Sequence, residues 1–375
     1  MVSVADAFRQ PDNMSSVRVM HVVVGGDIGG AERLLTQLAV RPRETGATHQ
    51  AAVITPNRAL VDYLASSGVR VHDRGPSRDG PIAYLRRSFG STDVAWLATL
   101  LAEERIDVVH THTFGSHVLG TRAAQRARLP QVRTEHHVMH YFDPTCSAFT
   151  RWAAVRTDRF IAVSEYVRSV IARTAPAVAA RTSVVRNGVD SSYWIPGPPP
   201  DGPFRVGIVC RLAAWKRVHL AIEAAARADV DLLVVGDGEE RRRLEVLAAA
   251  VGARVTFTGR RDDPRPFIAR CDAILSTSDS EPLGLSVLEA LAMERPVIAS
   301  AGGGIPEIVL HDVTGMLVRE ATPAAFAAAI QRARSDRARL RSMGIEGRRF
   351  AVEHCAIGRM CEGYAVIYEG LSRAS

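Results

Sequence analysis

The chain has 375 residues, 47% of them apolar and 23% charged, with a formal charge of +7; that is too long for one ordinary core and suits two soluble domains of ~150 to 190 residues each. Its five cysteines (146, 210, 271, 355 and 361) are scattered and form no C-x-x-C pair, which excludes a disulfide framework and a zinc ribbon and points to a reducing cytoplasm. Residues 1–16 carry neither a basic leader nor an apolar core and no stretch approaches the ~18 apolar residues of a membrane span, so neither a secreted nor an integral membrane chain is expected.

In chain order, residues 1–16 read as a disordered terminus. Val17 to Val24 (V-R-V-M-H-V-V-V) is a β-branched strand that ends at Gly25-Gly26-Asp27-Ile28-Gly29-Gly30, after which Ala31-Glu32-Arg33-Leu34-Leu35 starts a helical pattern. Glycines at such a turn let backbone approach a phosphate or sugar with a helix N-terminus behind them. The spacing is not G-x-G-x-x-G, so no nicotinamide cofactor is expected. Apolar strands follow at 50–54, 107–110, 131–134 and 159–163, alternating with helical stretches at 92–104, 116–127 and 165–173. Alternation of this kind means a parallel, doubly wound sheet.

The segment from Trp194 to Pro203 holds five prolines and two glycines in ten residues and reads as an interdomain linker. A second series of strands is expected at 205–209, 231–235, 254–257, 273–276, 297–299 and 316–318, with a further helix at 323–335. The expected organisation is therefore an amino-terminal domain at 17–193, the linker at 194–203, a carboxy-terminal domain at 204–355, and a last helix at 356–375 that returns to the first domain. Both domains read as Rossmann-like, with a cleft between them.

Chemistry concentrates in the second series. Lys216 is the single lysine among 47 basic residues and sits in Cys210-Arg211-Leu212-Ala213-Ala214-Trp215-Lys216-Arg217, just after a buried strand. A point charge on a mobile stem there is a candidate phosphate contact; the alternative is an arbitrary surface lysine. Further on, Glu281-Pro282-Leu283-Gly284-Leu285-Ser286-Val287-Leu288-Glu289-Ala290 places two carboxylates eight positions apart across a loop and helix start. Eight helical steps would span ~12 Å, too far for one acid/base dyad, so the two must meet different parts of a ligand. The helix start between them suits an anion such as a diphosphate. Read alone, such a pair is also compatible with capping and surface roles.

This stretch, with Ala290 to Ser300, Gly303-Gly304-Ile305-Pro306-Glu307-Ile308-Val309 and Gly315-Met316-Leu317-Val318, resembles the donor half of retaining GT-B glycosyltransferases of glycosyltransferase family 4. The similarity extends to Gly29-Gly30-Ala31-Glu32, Ala162-Val163-Ser164-Glu165, Asn187-Gly188-Val189-Asp190, Arg211 with Lys216, and Val234-Val235-Gly236-Asp237-Gly238. These motifs run in the family's order over about residues 17–320. The resemblance implies a fold of two Rossmann-like domains facing a cleft and a transfer of hexose from a nucleotide sugar. It gives Arg211 and Lys216 the donor diphosphate, Glu289 the ribose hydroxyls and Glu281 the transferred sugar. Backbone N–H groups of Leu283, Gly284 and Leu285 would hold sugar and phosphate, with Gly29 and Gly30 also on the donor, while the segment at Arg260 would border the base. It implies a UDP- or GDP-linked donor, N-acetylglucosamine by family frequency, with no cofactor and no metal. Arg217 departs from the family in standing where glycine often follows the lysine, and Pro282-Leu283 replaces a commoner small-aromatic pair.

Histidines crowd the amino-terminal domain at 110, 112, 117, 136, 137 and 140. Single histidines are more often structural than catalytic and a cluster can suggest metal, yet two of these groups follow strands at their carboxyl ends. By resemblance His136 points at the reacting sugar. His112, His137 and Asn187 are candidate acceptor or sugar contacts. Residues 1–200 hold 23 basic and 17 acidic side chains, a surplus of six, against 24 and 23 in residues 201–375. Spaced arginines in the first half suit an anionic acceptor or the inner face of a membrane as a peripheral surface, or are merely solvated. Nucleic acid is not expected, since no aromatic-rich basic stripe accompanies them. The expected function is a retaining hexosyltransferase acting on a hydroxyl of a glycan, lipid or small natural product; an epimerase or hydrolase of nucleotide sugars on the same fold, and a non-catalytic nucleotide binder, are the alternatives. Oligomeric state is not legible.

Overall fold

The computed structural model describes residues 16–24, 28–54, 58–75 and 90–373. The expected disordered terminus at 1–16, apart from Ser16, and the Gly25-Gly26-Asp27 part of the glycine loop lie outside the described residues.

The first series comprises β1 (Val17–Val23), α1 (Gly30–Ala39), α2 (Pro42–Thr45), β2 (Ala47–Val53), α3 (Arg58–Ser66), β3 (Arg70–Asp73), α4 (Thr92–Glu103), β4 (Val108–Thr111), α5 (Phe114–Ala127), β5 (Gln131–Glu135), α6 (Met139–Phe142), α7 (Pro144–Ala154), β6 (Arg159–Ala162), α8 (Glu165–Thr174) and β7 (Thr182–Val184). Its strands form one seven-stranded sheet in the order β3-β2-β1-β4-β5-β6-β7. In β1 five consecutive side chains are buried, which requires cover on both sheet faces and explains why the strand reads as an unbroken apolar run. The two edge strands β3 (R-V-H-D) and β7 (T-S-V) escaped the sequence reading, because short edge strands carry no such run. Strand β2 starts at Ala47 rather than near Gln50: its polar A-T-H-Q half pairs with β1, His49 opposite Val19.

The second series comprises β8 (Arg205–Val209), α9 (Val218–Ala228), β9 (Asp231–Val235), α10 (Arg241–Ala250), β10 (Val255–Phe257), α11 (Arg265–Ile268), β11 (Ala273–Ser276), α12 (Leu285–Ala292), β12 (Val297–Ser300), β13 (Gly315–Val318), α13 (Pro323–Ser335), α14 (Arg337–His354) and α15 (Ile357–Ser372). The sheet order is β10-β9-β8-β11-β12-β13, with every neighbouring pair parallel. The expected architecture of two Rossmann-like parallel sheets is therefore present. The chain reverses direction of sheet growth at β8, so the loops after β8 and β11 open side by side, where α/β sheets take ligands.

Residues 194–203 contain no helix or strand. Buried Arg295 donates from Nη2 to the carbonyls of Pro198 (2.8 Å) and Ala269 (3.0 Å), and this pins the proline segment. By packing the chain divides into two compact units: residues 1–133 with 156–158 and 364–375, and residues 134–155 with 159–363. The outer part of α15 thus belongs to the first unit, where the Tyr368 hydroxyl lies 2.8 Å from His110 Nδ1. No helix among the described residues is long and apolar enough to cross a membrane.

Candidate active site

Lys216 ends a 3-10 turn (Ala214–Lys216) after β8. Its ammonium is 2.8 and 2.7 Å from the two carboxylate oxygens of Glu281, in the loop after β11. Both side chains are only 13% exposed, so the pair is held away from bulk water and its attraction is little screened. Lys216 Nζ also lies over the Trp215 ring, 4.0 Å from its centroid, and Thr277 Oγ1 donates to the Lys216 carbonyl at 2.8 Å. Two charges predicted for different parts of a ligand are thus each other's partners in the protein alone.

The loop that carries Glu281 is fixed by glycines of the neighbouring loop. Gly303 has φ +63, and a Cβ there would fall 2.2 Å from the Glu281 carbonyl oxygen; Gly304 N–H donates to that same oxygen at 2.8 Å. Only a residue without a side chain permits this approach. Gly284, at φ 98, is the N-cap of α12, so Leu285 opens the helix and Glu289 lies more than a turn inside it. Glu289 is 8% exposed and Leu283 is 1% exposed. The helix start offers backbone N–H groups between the two carboxylates, as the spacing predicted.

Arg211 sits at the same sheet end but is 57% exposed and pairs with Glu239 at 3.3 Å. Arg217 adopts φ 50 and serves as N-cap of α9, which explains why glycine is common at that position; its guanidinium pairs with Asp279 and donates to the Ala321 carbonyl at 3.1 Å. Arg260 is exposed beyond β10, and the adjacent Gly259 bridges Gly236 at the end of β9. Burial pushes the Cys271 thiol up to about 12, so it is no nucleophile at neutral pH.

Two further elements lock onto this loop region within the same unit. Ser164 Oγ caps α8 by accepting from Val167 N–H (3.1 Å) and donates to the Pro282 carbonyl (2.6 Å). The Glu307 carboxylate accepts from the N–H groups of Glu165 (2.9 Å) and Tyr166 (2.7 Å) at the same helix start. Glu307 escaped functional notice in the sequence, although an acidic residue five positions after Gly302 was visible there.

His136, half-buried, and His137, exposed, follow β5. Next to them Glu135 is fully buried and accepts from Tyr141 Oη at 2.7 Å, with His140 Nε2 at 3.3 Å. That buried carboxylate was missed because a glutamate ending the largely polar strand Q-V-R-T-E looks like a surface residue. Asn187 is buried, and its Oδ1 has no hydrogen-bond partner among the described residues. Its neighbour Gly188 packs against the α14–α15 junction, where a Cβ would fall 2.5 Å from Ile357 Cα.

In the first unit Gly29 has φ −122, caps α1 and donates its N–H to Glu32 at 2.8 Å. Among the described residues, a Cβ at Gly29 would lie nearest to Glu32 Oε2, at 3.4 Å. Gly30 is the first residue of α1. His112 follows β4 and is 4% exposed; it belongs to a buried histidine group with His21, His49 and His110, of which His21 and His49 were not anticipated. A histidine inside a strand buried on both faces was the available signal.

The model of "Glycosyl transferases group 1" matches residues 196–350, and that of "Glycosyltransferase Family 4" matches residues 28–193. The α-maltose-1-phosphate synthase of Mycolicibacterium smegmatis is 30% identical over 86% of this chain and 95% of its own length. This chain is a family 4, group 1 glycosyltransferase. Another glycosyltransferase relative, the N-acetyl-α-D-glucosaminyl L-malate synthase of Bacillus anthracis, is 26% identical over 74% of this chain and 78% of its own. Among solved structures, HepE of Anabaena in complex with UDP and glucose superposes with a TM-score of 0.83 at 24% identity, covering 95% of this chain and all of HepE. The glycosyltransferase is thus of the GT-B fold.

Proposed function

We propose that this glycosyltransferase retains configuration at the anomeric carbon and moves a hexose from a UDP- or GDP-linked donor to an acceptor hydroxyl, without a metal ion. The observation that carries the reading is the Lys216–Glu281 pair beside the start of α12. A donor diphosphate, with more negative charge than one carboxylate, replaces Glu281 as the partner of Lys216 and accepts hydrogen bonds from the helix start. The carboxylate so released accepts hydroxyls of the transferred sugar, while Glu289 accepts the ribose diol. Arg211, swinging from exposed Glu239, adds a second cation. As the glycosidic C–O bond breaks, charge accumulates on the leaving phosphate, which these cations and amides stabilise. The departing phosphate oxygen takes the acceptor proton on the same face, with His136 beside the sugar and His112, His137 and Asn187 toward the acceptor. Relatives named for maltose 1-phosphate and for N-acetylglucosaminyl malate support a glucose or N-acetylglucosamine donor and a small, anionic acceptor. A cytoplasmic or inner-face setting accords with such donors.

The test offers UDP- and GDP-linked glucose and N-acetylglucosamine with glucose 1-phosphate, malate and water as acceptors, follows nucleotide release in the presence of EDTA, and reads product configuration by NMR. Lys216→Ala should lower turnover about a hundredfold. An inverted product, or undiminished turnover in that variant, sinks the reading; isomerised or hydrolysed donor with no acceptor present would mark the chain as an epimerase or hydrolase instead.

A further inference from the structure

Four tryptophans occur in the chain, and of these only Trp215 is exposed, at 49%. Leaving that much aromatic surface in water forfeits part of the burial free energy that a large ring supplies, so its location calls for a reason. Trp215 is the middle residue of the 3-10 turn Ala214–Lys216 that follows β8, at the ligand end of the sheet. Lys216 Nζ stands 4.0 Å from the ring centroid, well inside the ~6 Å within which a cation is drawn to an aromatic face.

The backbone does not force that contact. Consecutive side chains in a 3-10 turn point ~120° apart, so the lysine stem folds back over the ring of its neighbour to bring the ammonium there. The Lys216 backbone is itself fixed: its N–H donates to the Ala213 carbonyl at 3.0 Å, and its carbonyl accepts from Thr277 Oγ1 at 2.8 Å. Only the side-chain torsions remain to be set. Among the described residues the ammonium has two partners, the Glu281 carboxylate and the Trp215 ring. They are not equivalent. An incoming anion competes with Glu281 for the ammonium, whereas an aromatic face carries no net charge and stays in place while one anion is exchanged for another. Lys216 is only 13% exposed, and the pull of a ring on a cation is largest where water is excluded.

We infer that Trp215 is a positioning residue: its ring holds the Lys216 ammonium in place while the carboxylate of Glu281 is exchanged for the diphosphate of a nucleotide. This rests on the reading above that a donor diphosphate takes the place of Glu281. Without the ring, a released lysine regains the rotamer freedom of its four-carbon stem, and ordering it again weighs against both donor binding and stabilisation of the leaving phosphate.

The single lysine makes the test direct, because 13C-labelled lysine gives one side-chain spin system in the whole chain. The Lys216 ε-methylene protons should be shifted upfield by the indole ring current, should stay so on saturation with UDP or GDP, and should return to the free-lysine position in Trp215→Leu. A free-lysine position in the wild-type chain without nucleotide overturns the contact, and loss of the upfield shift on nucleotide binding overturns the holding role. Turnover is read as nucleotide release from UDP- and GDP-linked glucose and N-acetylglucosamine, with glucose 1-phosphate or water as acceptor. For the donor used, kcat/KM should fall about tenfold in Trp215→Leu and largely recover in Trp215→Phe, which restores an aromatic face. The urea midpoint should barely move in either variant, since about half of the residue is already in water. A wild-type kcat/KM in Trp215→Leu, or equal losses in the Leu and Phe variants, overturns the positioning role. A wild-type chain that binds neither nucleotide and releases neither from any donor overturns instead the transferase reading, and the holding role with it.

Discussion

Lysine at 216 is a choice that 46 arginines elsewhere make conspicuous, since only one of the 47 basic residues is lysine. In the free protein its ammonium is neutralised by both oxygens of Glu281. On the proposed reading a donor breaks this ion pair to enter, and the strength of the pair is then a control on turnover. A guanidinium would grip the carboxylate with a bidentate fork and release it less readily. Lys216→Arg should accordingly reduce turnover by about tenfold or more while moving the unfolding midpoint little; equal losses of rate and stability would count against this. Glu281→Gln frees the ammonium instead. UDP should bind more tightly to that variant by calorimetry while kcat falls, a split that a damaged fold would not produce. The lysine was legible from composition, but its partner was not, because 65 residues separate them.

Elements bring that pair together, and loop against loop is the decisive contact. Residues 302–304 lie backbone to backbone against the loop of Glu281, with the Gly303 position at φ +63 and no room for a Cβ. Gly303→Ala adds a left-handed alanine, at ~1 kcal/mol, to an overlap worth ~1–3 kcal/mol, so a loss of about 2–4 kcal/mol in urea unfolding is expected. Activity should fall with it, because the Glu281 carbonyl is displaced. The strand–loop–helix order of this region was legible as an apolar run followed by glycine. What could not be read was that Gly-Gly-Ile-Pro-Glu supports the neighbouring loop and that Glu307 accepts from the N–H groups of Glu165 and Tyr166. Residues Asn187 and Gly188 carry the same lesson: a motif conspicuous in sequence packs on the start of α15.

At the scale of the whole molecule, stability and pH are linked through the buried histidines. His49 ionises near 3 when folded, against 6.5 when exposed, and His21 is shifted the same way by burial and by its two neighbouring rings. The unfolded chain therefore binds more protons between those values, so this stability is complete above pH 6.5 and lost as pH falls toward 3. His49 alone costs about 2 kcal/mol at pH 5. Denaturant unfolding of the wild type should weaken between pH 7.5 and 5, and less so in His49→Phe; equal slopes would refute the assignment. By itself the sequence determined two parallel α/β sheets and the family, because apolar periodicity and the glycines that end strands act over a few residues. Only the tertiary structure decided which charges are already paired, which glycines serve packing, and that His21, His49 and His112 form one chain. Those facts depend on side chains brought together from β1, β2 and the end of β4, and no local pattern encodes a contact across 91 residues.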